Sequence, residues 1–261
     1  LAWSADGMAG PSGYWSVDVT DEPSLAETAG RVRQALGTPS VVVANAGVAM
    51  GGPLLDCDVA AWRRVVEVNL VGSALTARCF LPDLLETGGY HLQVASMAAL
   101  GPAPFLSAYC ASKAGAEGFA HVLRAEVAHR GVDVGVAYLS WFDTAMIRAT
   151  EGTSAFELLR AHLPWPASAT HDTAPAVRAL VHGIERRSAH VYAPRWVRGM
   201  QAARTLLPAL VARRSRRVLA EQDGDPLATG LLGPGGEAAG RGTRSQSRSR
   251  TQEERWQHGT E

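Results

Sequence analysis

Apolar positions in this chain fall into two kinds of segment that take turns along its length. Short runs such as "SVVVANAG" (Ser40–Gly47), "YHLQVAS" (Tyr90–Ser96) and "VDVGVAYLS" (Val132–Ser140) are largely apolar, as strands covered on both faces are. "YWSVDV" (Tyr14–Val19) and "AHVYA" (Ala189–Ala193) read as two further strands. Between them apolar residues recur at helical spacing. One helix is expected from Thr20 or Asp21, with Pro23 in its first turn, to about Gly37. Others are expected over about Asp58–Glu86, over Ser107–Arg130, and from Thr173, with Pro175 just inside, to about Arg187. Strands alternating with helices of crossover length predict a doubly wound parallel α/β sheet. Ligands of such sheets bind at the carboxyl ends of the strands. Asn45, Ser96 and Ser140 all fall there.

Length and composition narrow the picture. At 261 residues, 46% of them hydrophobic, the chain suits one large domain with a sizeable core. Formal net charge is zero, so no global field favours nucleic acid. Cys57, Cys79 and Cys110 lie in apolar segments without a pairing pattern, which fits buried thiols in a reducing compartment. The eight histidines show no metal-ligand spacing. No apolar run reaches the roughly 18–20 residues that span a bilayer, and "LAWSADGMAG" lacks the features of a signal peptide. A cytoplasmic protein is expected.

The C-terminal third departs from the sheet pattern. Arg195–Arg217 carries seven arginines and no acid, interleaved with Trp196, Met200, Leu206, Leu207, Leu210 and Val211. A basic amphipathic helix can lie on a membrane surface. The favoured reading is a helical lid or subunit contact with solvated arginines, interrupted at Pro208. From Asp223 the chain is Gly-rich and polar, and too little apolar surface remains to offset chain entropy, so disorder is expected. Three regions follow: a sheet domain over 1–193, a basic helical extension over 194–222 and a tail over 223–261.

The candidate chemistry centres on "YCASK". Tyr109 and Lys113 stand four residues apart, on one face of a helix. An ammonium held close to a phenol favours the phenolate and lowers its pKa, making a proton donor and acceptor usable near neutral pH. Lys113 is also the single lysine among 25 basic residues. A lysine is a compact point charge, an arginine a bulkier planar fork. A position that keeps lysine in an arginine-rich chain reads as a tight site.

These residues sit among others that together resemble the short-chain dehydrogenase/reductase family. Asn45-Ala46-Gly47 matches its "NAG" motif, Asn69 in "VEVNLVG" the helical asparagine, and Ser96 in "QVASMAA" the serine thirteen residues before the tyrosine. "DVTD" (Asp18–Asp21) matches the stretch beside the adenine ring, and "WFDTAM" (Trp141–Met146) the segment whose threonine, here Thr144, touches the nicotinamide amide. The resemblance covers roughly Tyr14 to Ala193. It implies a Rossmann-like sheet missing its first two strands, with a helical C-terminal extension, and an oxidoreductase that moves hydride between NAD or NADP and an alcohol/ketone substrate.

The implied roles are specific. Tyr109 passes a proton to or from the substrate oxygen, Lys113 lowers the tyrosine's pKa and holds the ribose hydroxyls, and Ser96 hydrogen-bonds the carbonyl oxygen. Asn69 anchors a water that relays protons. Asp18, Val19, Asn45, Ala46, Gly47, Tyr109, Lys113 and Thr144 contact cofactor. Met97, Phe105, Leu106, Trp141, Phe142 and Met146 line an apolar substrate pocket. No metal is implied. A homo-oligomer is implied, built on the helices over Asp58–Glu86 and Ser107–Arg130.

Two departures stand out. Ser140-Trp141 replaces the family's Pro-Gly. No glycine-rich "TGxxxGxG" turn occurs ahead of the first strand, so the 261 residues read as N-terminally truncated and are expected to bind NAD or NADP weakly. The alternative readings are a cofactor-deficient member without activity, and a peripheral binding protein using the basic helix.

Overall fold

Four short strands form the centre of the molecule, each running parallel to its neighbours. They are β1 (Val41–Ala44), β2 (Tyr90–Val94), β3 (Asp133–Leu139) and β4 (His190–Ala193), in the spatial order β1-β2-β3-β4. The register sets Val41 opposite Tyr90, Tyr90 opposite Asp133 and Val136 opposite His190. The structure, a computed structural model, describes residues 12–150, 154–219 and 231–232.

The helices are α1 (Glu22–Leu36), α2 (Val59–Val66), α3 (Gly72–Thr87), α4 (Ser107–Val127), α5 (Ala145–Arg148), α6 (Ser154–His162), α7 (Thr173–Glu185), α8 (Val197–Ala203) and α9 (Leu207–Leu219). Local chemistry fixes their ends. Asp21 caps α1 by accepting from the Ser24 N–H, and Asp58 caps α2 through the Ala60 and Ala61 N–H groups. Gly88, at φ 56°, ends α3 in the left-handed conformation that glycine adopts freely.

One face of the sheet packs on α3 and α4. Its core holds Val42, Val134, Val136 and Tyr138 against Ala77, Leu84, Ala120 and Leu123. The other face carries Tyr90, Leu92, Ala137 and Val191 under Ala179, Leu180 and Ile184 of α7. α1 lies outside α3 and is tied to it by Arg33, which bonds both Asp83 oxygens at 2.5 and 2.8 Å. β1 stands at the sheet edge, and its outward pair Val41 and Val43 are 42% and 41% exposed.

Several expectations need correction. Tyr14–Val19 is not a strand: residues 12–18 have no regular structure and Val19 opens a turn. The alternation is real, yet no neighbouring strand offers a ladder. Asp18 is instead folded onto the Thr20 N–H and hydroxyl at 2.9 and 2.8 Å, and Val19 packs beside Val48, Val65 and Val68. The helix over Asp58–Glu86 is continuous but passes through a π turn at Glu67–Val71. This helix, Val59–Thr87, contains an 18-residue window with mean hydropathy 1.2 and is long and apolar enough to cross a membrane by length and composition. The expectation that no segment reaches that length was based on unbroken apolar runs, whereas charged residues punctuate this one. It lies as a layer against α4 and β1.

In the extension, the chain breaks at 204–206 between α8 and α9, and Pro208 sits in the first turn of α9, where its missing N–H costs nothing. It therefore starts a helix rather than interrupting one. The expected tail, 223–261, lies outside the described residues except at Leu231 and Leu232. Those two are ordered against the domain: Leu232 exchanges both backbone hydrogen bonds with Ala49, at 2.7 and 2.8 Å. Disorder does not hold there.

Candidate active site

Helical periodicity places Tyr109 and Lys113 one turn apart on α4, both turned toward the carboxyl end of β2. Lys113 is buried and donates from Nζ to the Val94 carbonyl at 3.0 Å. Its ammonium lies 5.8 Å from the centre of the Tyr109 ring. Burial alone pulls the Lys113 pKa down to about 8. Ser96, just past β2, is buried; its hydroxyl caps the Met97–Ala99 turn by accepting from the Ala98 N–H at 3.2 Å, and it lines one cavity with Tyr109. Burial pushes the Tyr109 phenol up, and the nearby Ser96 hydroxyl works against that rise. Lys113 is not among the causes of the shift, so the lowering expected from it is not found; burial of a phenol disfavours the phenolate.

Asn69 reaches the site from the π turn. Such a turn adds a residue to the helix and aims one side chain off the regular spiral. Its Oδ1 accepts from the Val48 N–H at 2.8 Å, and its Nδ2 donates to the Val48 carbonyl and the Ser112 hydroxyl, each at 2.9 Å. Asn69 thus clamps the backbone just after Asn45-Ala46-Gly47. At Gly47 an added Cβ would stand 3.2 Å from Asn69 Oδ1 and 3.6 Å from Lys113 Nζ. A side chain there would press on Asn69 and touch Lys113.

The other expected residues are distributed less evenly. A cavity of about 380 Å³ opens beside Ser96 and Tyr109, with Met97, Leu106, Trp141 and Met146 in its wall. Phe105 and Phe142 do not line it. Phe142 is buried on the far side with Ala176 and Ala193, beneath α7, because adjacent residues in extended chain point opposite ways. Phe105 takes φ 69° and faces a smaller neighbouring cavity. The wall is completed by residues that sequence reasoning missed, among them Phe156 from α6, Trp165 from the following loop, and Met200, Leu207 and Arg214 from α8 and α9. Only the last group carried a readable signal, since Leu207, Leu210, Val211 and Arg214 recur at helical spacing. Trp141, which stands where the family has glycine, forms cavity wall and meets Phe156 edge-on at 6.4 Å.

Thr144 is exposed and caps α5. Asp18 bonds Arg64 Nη2 at 2.5 Å, and the Thr20 N–H, ahead of that guanidinium, holds its carboxyl below the usual range.

The short chain dehydrogenase family profile matches residues 6–154 of this chain. The chain belongs to that family. Probable oxidoreductase EphD of Mycobacterium tuberculosis is 39% identical over 136 residues, 51% of this chain and 23% of that protein. Cis-4-hydroxycyclohexanecarboxylate dehydrogenase of Sinomonas cyclohexanicum is 37% identical over 143 residues, 53% of this chain and 57% of that protein. The chain therefore spans less than two thirds of the length of either relative. Among solved structures, a short chain dehydrogenase from Burkholderia cenocepacia in complex with NADP superposes with a TM-score of 0.60 at 26% identity. That match covers 78% of this chain and 79% of the other.

NAD or NADP is the cofactor of the short-chain dehydrogenase family, and this chain's residues fit its nicotinamide–ribose end. Lys113 has three N–H donors and spends one on Val94, and the Gly47 loop leaves the room that a side chain would fill. Among the described residues no glycine-rich turn leads from a strand into a helix to cradle the pyrophosphate.

Proposed function

We propose that this chain carries the proton-transfer and substrate-binding end of an NAD(P)-dependent oxidoreductase that interconverts an apolar alcohol and its ketone. The observation that carries this reading is the meeting of Ser96, Tyr109 and Lys113 at the head of an apolar cavity. Bound NAD(P) supplies the hydride acceptor or donor. The Tyr109 phenol takes or gives the proton at the substrate oxygen, and Ser96 donates a hydrogen bond to that oxygen as charge develops. Lys113 keeps a cation near the phenolate that forms. Asn69 positions the loop at Val48 that walls the site.

The cavity's lining favours an alicyclic or extended hydrocarbon skeleton. The Sinomonas relative, named for a ring alcohol, supports the alicyclic choice, and the NADP-bound neighbour supports the cofactor class. The family's homo-oligomeric assembly and a cytoplasmic location belong to the same proposal.

The test supplies NADH and NADPH at millimolar concentration with alicyclic and straight-chain ketones, and follows cofactor absorbance. Tyr109→Phe is expected to lower turnover by about 10²–10⁴-fold while calorimetric cofactor affinity stays unchanged. Turnover near the unaltered level would remove Tyr109 from the mechanism.

A further inference from the structure

The mouth of the cavity is built unlike its interior. Trp165, Leu210 and Arg214 all line the cavity and are all exposed, Trp165 to 84% and Leu210 to 60%, so they stand at its opening. Leu206, 63% exposed, lies one turn before Leu210, whose N–H bonds its carbonyl at 3.1 Å. Leu206, Leu210, Arg213 and Arg214 follow the i, i+4, i+7, i+8 spacing of one helical face. Arg216, on the same helix, is exposed too, as are Arg195 and Arg198 around the start of α8. Residues 195–217 contain no acid at all. Arg204 turns inward, to Glu117 at 2.9 and 3.1 Å.

We infer that the face formed by α9 and the 164–166 loop docks on an anionic lipid surface, so that the cavity opens toward the bilayer. Large apolar side chains beside arginines are the composition of an interfacial face. An indole favours the headgroup level, and guanidinium groups with aliphatic stems reach lipid phosphates while their stems cover apolar surface. Seven arginines and no acid, with Arg204 matched to Glu117 in the ion pair above, leave 195–217 net positive, which favours anionic over neutral lipid. Pro208 is no obstacle, since it sits in the first turn of the 13-residue α9. Delivery of an apolar substrate straight from the membrane follows and rests on the proposed function. Docking itself does not, and is measured without turnover.

Co-sedimentation of the full chain decides the matter. The vesicles are phosphatidylcholine alone, or phosphatidylcholine with about one third phosphatidylserine. The bound fraction is expected to be at least about fivefold higher on the anionic vesicles and to fall as salt is raised. Arg213→Glu/Arg216→Glu and, separately, Leu206→Ser are expected to lose most of that binding. None of these three side chains lines a cavity, and circular dichroism checks that each variant is folded. The arginines beyond residue 240 are present in every form, so a loss belongs to α9. Equal binding to both vesicle types overturns the inference, as does undiminished binding by either variant. The vesicle comparison with the unaltered chain stands even if a variant fails to fold.

Discussion

Lys113 owes its shifted pKa to burial, with no carboxylate among the described residues acting to hold the proton. The consequence for stability has a definite sign. Below about pH 8 folded and unfolded chains both carry the proton, and the folded state bears the full burial penalty. Between about 8 and the ordinary lysine value of 10.5 the unfolded chain binds more protons, so stability rises with pH. The shift corresponds to about 3 kcal/mol. Urea midpoints of the unaltered chain and Lys113→Met, taken at about pH 7 and about pH 10, are expected to move in favour of the unaltered chain at the higher pH. A constant difference would mean that Lys113 titrates normally. The pair Tyr109–Lys113 was legible in the sequence because a helix fixes its geometry once the helix is recognised. Phe142 was not, because its neighbour Trp141 points into the cavity while it turns under α7. Phe105 escaped for a backbone reason: a positive φ at a phenylalanine leaves no trace in periodicity.

At the scale of elements, the cover of the cavity hangs on one carboxylate. Glu117 of α4 is buried and accepts from the Tyr138 hydroxyl at 2.7 Å and from both Arg204 nitrogens, just past α8. Removing the guanidinium leaves a buried carboxylate short of a partner. Arg204→Met is expected to destabilise the protein by about 1–3 kcal/mol, less than a fully buried pair because Arg204 is partly exposed. Amide hydrogen exchange is the measurement: residues 197–219 should exchange faster while β2 and β3 stay protected. Uniform acceleration everywhere would show that the pair supports the whole core instead of the cover. The four strands and the long helices could be read from the chain because apolar period is a local property. The place of helix α6 and the 164–166 loop in the wall could not, since it is set by tertiary partners such as Leu106, Tyr109 and Trp141, which local pattern does not reveal. The alternation in Tyr14–Val19 misled for the same reason: a strand needs a neighbour, and local pattern does not supply one.

For the molecule as a whole, β1 is the exposed side. Its outer edge has no strand partner among the described residues, and Val41 and Val43 show apolar surface beside unpaired backbone groups, a template for pairing with another chain. Val43→Lys is expected to lower the scattered light of concentrated solutions without lowering the melting temperature, because the side chain it replaces already faces solvent. Unchanged scattering would place self-association elsewhere, with the exposed Val71 and Val122 of the two long helices the next surface to alter. The bridge between Ala49 and Leu232 gives the molecule a mechanical route as well. Leu231 and Leu232 both pack in clusters that include Tyr109, and the two backbone bonds join them to the loop that Asn69 clamps. A load on the chain beyond residue 232 is therefore delivered first to Ala49 and then to the ring of Tyr109. Anything fused, tethered or immobilised at that end pulls on Tyr109. Attachment at an exposed turn such as Gly37, on the far side of α1, leaves it slack.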